Sequence, residues 1–125
     1  MADIARESYA GVAYDEAAMF QWGERALAQN NVIGVMDDGA WGFAQVAPVP
    51  WNPSEIHGTQ LFFCCRKTAI WRGLGCMRAM INWTVQRGAV DYHFGEVTGM
   101  PMSIIAKRIG AVHNSPTFVW RPRGI

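Results

Sequence analysis

Between residues 14 and 28 the positions Met19, Phe20, Gly23, Ala26 and Leu27 recur at helical intervals, with Asp15, Glu16, Glu24 and Arg25 on the opposite side. That spacing predicts an amphipathic helix, stopped by Asn30-Asn31. The pattern then changes to that of strands. Residues 32–36 read as a buried strand, Asp37-Asp38-Gly39 as a tight hairpin turn, and residues 41–49 as the returning strand. Three prolines between 48 and 53, with Trp51 among them, predict an irregular loop. A further strand over 56–65 ends in the apolar run Leu61-Phe62-Phe63-Cys64-Cys65, which suits a strand covered on both faces.

Helical spacing returns over 74–86, with Leu74, Met77, Met80, Ile81 and Thr84 inward, Arg78, Asn82 and Gln86 outward, and Arg87-Gly88 as the stop. Residues 90–97 read as a strand and Gly99-Met100-Pro101 as a turn. Pro101 then opens a helix over 102–109 closed by Gly110, and residues 117–120 form a last strand. The predicted order is helix, three strands, helix, strand, helix, strand, without repeats or linkers.

Composition fits one domain over 1–125: half of the 125 residues are apolar and 17 % are charged, too apolar for disorder and too short for two ordinary cores. Eleven basic against ten acidic residues give a net charge of +1, which argues against nucleic acid as a partner. Only Arg121-Pro122-Arg123 is locally basic. An odd set of three cysteines, at 64, 65 and 76, suits a reducing, cytoplasmic setting. No run approaches the ~18 apolar residues of a membrane span, so no membrane association is expected. His57, His93 and His113 lie far apart in sequence and no Cys/His spacing matches a tetrahedral zinc site, so no metal is expected either.

The most informative segment is Ile70-Trp71-Arg72-Gly73-Leu74-Gly75-Cys76-Met77, between an apolar strand and an amphipathic helix. Two glycines there would let the backbone turn tightly with its N–H groups outward, an anion site suited to a phosphate. The plainer alternative is a glycine turn needed only for strand-to-helix packing. This junction, the order of elements over roughly residues 15 to 120, and Lys107-Arg108-Ile109-Gly110-Ala111 together resemble the GNAT family of acyl-CoA-dependent N-acyltransferases. Arg72-Gly73-Leu74-Gly75 matches the end of the family's Gln/Arg-x-x-Gly-x-Gly/Ala motif, with Ile70 where Gln or Arg is usual.

The resemblance implies an α/β (α+β) fold with a mixed, mainly antiparallel central sheet flanked by helices. It also implies acetyl-CoA as co-substrate and transfer of its acetyl group to an amine of a small molecule or protein. Backbone groups of Phe63, Cys64 and Cys65 would hold the pantetheine arm in a slot beside the strand over 92–97. Arg72, Gly73, Leu74, Gly75, Cys76 and Met77 would surround the pyrophosphate.

The family's frequent acidic tyrosine falls at Ala106 here, and a frequent asparagine at Gly99. Substitutes are Tyr92, His93 and Cys64 as acid, and Glu55 or His57 as base, His57 being preferred because imidazole titrates near neutrality. A lone strand histidine is more often a surface or hydrogen-bonded residue, and Glu96 equally reads as a solvated carboxylate. Cys64 and Cys65 read as core residues rather than nucleophiles. The scattered tryptophans read as packing, except Trp51, whose loop could line an acceptor pocket.

A second resemblance, through Ile109-Gly110-Ala111-Val112, is to small GNAT-like proteins associated with phage virions. It implies a structural or assembly part whose partners are copies of itself or other virion subunits.

Overall fold

The computed structural model describes residue 4, residues 15–95, 102–114 and 117–122. Helix α1 spans Glu16–Leu27, and Asp15 caps it by accepting from the Ala17 and Ala18 N–H groups at 2.9 and 3.1 Å. Strands β1 (Val32–Asp37) and β2 (Ala40–Val49) form an antiparallel hairpin. Its two-residue turn requires the positive φ of Gly39, +99°.

Strand β3 (Asn52–Cys65) is longer than predicted. The proline segment is an irregular strand pair and not a loop: Val49 pairs with Asn52 but Pro48 with Ile56, so the chain reverses over Pro50-Trp51 and β3 carries residues 53–55 as extra residues against β2. A single 3-10 turn, Lys67–Ala69, leads into α2 (Ile70–Gln86), which returns the chain to β4 (Ala89–Gly95), parallel to β3. Helix α3 (Met102–Ile109) precedes the short strand β5 (Val112–Asn114) and β6 (Thr117–Trp120). Strand β5, absent from the sequence prediction, is only three residues long and lacks a period to read. The six strands are ordered β1-β2-β3-β4-β6-β5, and every neighbouring pair is antiparallel except β3 with β4. The expected mixed, mainly antiparallel sheet with flanking helices is thus observed.

Alternation along the strands divides the sheet into two faces. One is sealed by α2 and α3: Ala40, Phe63, Cys65, Tyr92 and Phe94 pack with Leu74, Met77, Met80 and Ile81 of α2 and Met102 and Ile105 of α3. The inward residues predicted for α2 are all buried and the outward ones all exposed. On the other face Ile4, Trp41, Phe43 and Cys64 pack with Met19, Trp22, Leu61 and Phe62. Gly23 lets α1 lie close, since a Cβ there would stand 3.2 Å from the Phe43 ring. Two of the predicted inward positions of α1 stay open: Phe20 and Leu27 are exposed beside an apolar groove of about 550 Å³.

Candidate functional site

A bulge beside the β3–β4 pairing builds a polar cluster. Ile56 pairs with Ala89, but Gly58 pairs with Tyr92 and Thr59 with His93, so β4 carries one extra residue against β3. Because side chains alternate, that residue decides which of them share a face. Tyr92 goes with Gly58 to the side of α2, where a Cβ on Gly58 would meet Thr84 Oγ1 at 2.8 Å. Asp91 and His93 come instead to the face of His57.

There His57 Nδ1 lies 2.5 Å and His93 Nε2 3.1 Å from Asp91 Oδ1, and the two nitrogens are 3.3 Å apart. The imidazole planes are stacked, 26° from parallel. The second nitrogen of His57, Nε2, meets Glu55 Oε1 at 2.7 Å. Asn52 Nδ2 donates to Glu55 Oε2 at 3.3 Å, and Ser54 Oγ donates to Asn52 Oδ1 at 2.8 Å, so the outer carboxylate is itself held. Just after β6, Arg121 Nη2 stands 3.9 Å from Asp91 Oδ2. Asp91 is 3 % exposed, yet its Oδ1 makes no hydrogen bond of acceptable geometry. The side chains of His57 and His93 are 23 % and 32 % exposed, so the cluster is reachable from solvent.

Sequence reasoning singled out Glu55, His57 and His93 separately and missed Asp91, a residue in an ordinary strand pattern. Far apart in sequence, His57 and His93 are brought together by the parallel pairing of β3 with β4. Among the described residues these two and Asp91 form the group whose ligand atoms could surround an ion.

The cluster stands beside the described pairing of β3 with β4. Their pairing ends at Thr59 and His93, although β3 continues to Cys65 and β4 to Gly95. The other edge of β3 stays bonded to β2 as far as Cys65. The predicted pantetheine contacts Phe63, Cys64 and Cys65 lie on this stretch, with side chains wholly buried. The two cysteines point to opposite faces, Cys64 toward Trp41 and Cys65 toward α2. On the same stretch Gln60 Oε1 is buried without a hydrogen-bond partner.

The predicted glycine turn is corrected. Helix α2 opens at Ile70 and not at Leu74, so the amides of Gly73, Leu74, Gly75, Cys76 and Met77 bond to carbonyls of the preceding turn and do not point outward. Unpaired helical amides belong before Gly73. Gly73 serves packing, since a Cβ there would lie 2.7 Å from Cys65 Sγ, whereas Gly75 is exposed with open space around it. Cys76 and Met77 are core residues, and the Arg72 guanidinium pairs with Asp37 at 3.2 Å.

Two proposed acids are also corrected. The Tyr92 hydroxyl is fully buried, burial drives its pKa upward, and its near polar atom is Met80 Sδ at 3.9 Å. Burial likewise raises the Cys64 thiol and pushes Cys76 up to about 11, so neither ionises readily. Ala106 is buried core. Trp51, 86 % exposed, sits on the β2–β3 turn. Glu96, Val97 and Gly99 lie outside the described residues, as does the side chain of His113.

No helix among the described residues is long and apolar enough to cross a membrane. No family model matches the chain, and no curated protein or solved structure gives a significant match.

Proposed function

We propose that the protein is an acyl-CoA-dependent N-acyltransferase that moves an acetyl group from acetyl-CoA to an amine of a small molecule or protein. The observation that carries this reading is the Glu55, His57, Asp91 and His93 cluster beside the parallel pairing of β3 with β4. For the cofactor, Gln60 Oε1 is buried without the donor that a pantetheine amide would supply. Acetyl-CoA supplies the activated thioester.

The amine must be neutral to attack, and an imidazole of the cluster accepts its proton. The N–C bond forms, the C–S bond breaks, and the proton passes back from the cluster to the departing thiolate. That return path replaces the tyrosine acid, since position 106 is alanine and Tyr92 is sealed away.

Thermal unfolding with acetyl-CoA tests the binding step. Ligand at ~100 times its dissociation constant adds about 2.7 kcal/mol, a rise of roughly 10 °C for a domain this size. His57→Ala should keep that rise and lose about 100-fold or more in turnover. No shift at saturating acetyl-CoA overturns the reading. The exposed Phe20 and Leu27 beside the apolar groove favour a second reading, a structural or virion-assembly component with the same fold. It is the one supported if the shift is absent.

A further inference from the structure

We propose that His57 Nδ1, Asp91 Oδ1 and His93 Nε2 are three ligands of a divalent first-row metal ion of the zinc class, leaving one coordination position open to solvent. The three atoms are separated by 2.5, 3.1 and 3.3 Å. The circle through them has a radius of about 1.7 Å, so an ion at the ~2.1 Å bond length of such ligands reaches all three from about 1.2 Å off their plane.

Three further features fit. Asp91 Oδ1 is buried without a hydrogen bond, and a cation would satisfy it. Glu55 at the other nitrogen of His57 fixes the tautomer with the proton on Nε2, leaving the Nδ1 lone pair for the ion. The open side agrees as well, because the partly exposed imidazoles leave room for a bound water, the arrangement of catalytic rather than structural metal sites. Imidazole and carboxylate donors together suit zinc, cobalt or iron in preference to calcium or magnesium.

Metal binding stands on these atoms alone. It goes beyond the acyl-transfer reading and does not depend on it.

The test uses the full chain freed of metal by a chelator and titrated with Zn²⁺ by calorimetry and with Co²⁺ by visible absorption. One equivalent should bind, with Co²⁺ bands of low-coordinate nitrogen and oxygen ligation and a raised unfolding temperature. His93→Ala and Asp91→Asn should weaken binding at least 100-fold, and Glu55→Gln about 10-fold to 100-fold, while Glu24→Gln on α1 leaves it unchanged. Absence of stoichiometric binding by the folded wild-type chain overturns the proposal. So does undiminished binding in His93→Ala, whose folding is checked by its circular dichroism. The acetyl-CoA shift, measured with and without metal, reports on the slot separately, so each proposal can fail without the other.

Discussion

The two faces of the β3–β4 pair, one residue apart along the chain, have opposite characters. Toward α2, Gly58, Tyr92, Phe94, Met77 and Met80 make a dry, close-packed layer in which even a phenol and a threonine, Thr84, are sealed. Toward the other side, Glu55, His57, Asp91 and His93 crowd charge and imidazole around a buried carboxylate. The difference lies in what each face costs. Burying Tyr92 stabilises the fold, whereas burying Asp91 carries a desolvation penalty that its partners must offset. The proposed function places the site on the polar face and makes the apolar face its support.

Removing the support should have the largest effect. Tyr92→Ala takes a wholly buried ring out from against Met80 and Phe94 and should cost about 3–5 kcal/mol in denaturant unfolding. A cost below about 1 kcal/mol would mean that this face is not close-packed.

Alkaline pH probes the buried thiols more gently, Cys76 in this layer and Cys64 on the face of Trp41. Burial favours the neutral Cys64 and Cys76 thiols, so their pKa values are higher in the fold than in the unfolded chain. The stability they contribute is complete below about pH 9 and is lost as pH rises through the folded value of about 11 for Cys76. The denaturation midpoint should therefore fall between pH 9 and 11, by about 2–3 kcal/mol from Cys76 alone, and Cys76→Ala should flatten the fall. A flat wild-type profile would show the thiols to be solvated.

The smallest change separates the two faces most sharply. Tyr92→Phe removes only a hydroxyl whose near partner is a thioether at 3.9 Å, and stability should move by less than about 1 kcal/mol with turnover unchanged. A large loss of turnover would make the phenol the acid after all and break the division of labour.

The sheet was legible in the sequence wherever one strand's own pattern decided it. The Asp38-Gly39 turn, the apolar run ending at Cys65 and the inward stripe of α2 each carry a local signal. The short β5 and the tight Pro50-Trp51 reversal do not, because prolines read locally as a break while the pairing of Val49 with Asn52 is settled across strands. The site was half legible. Imidazole and carboxylate chemistry at 55, 57 and 93 can be listed from the sequence, but Asp91 joins them only through an extra residue in β4 whose register no single strand encodes. The glycines at 73 and 75 misled for a related reason: Gly73 is demanded by the approach of Cys65 from another element.

Amide hydrogen exchange with and without acetyl-CoA tests the proposed cofactor site most directly. The account predicts added protection over residues 60–65 and at the start of α2, with the β1–β2 hairpin unchanged. Protection elsewhere, with residues 60–65 unaffected at saturating ligand, would contradict it.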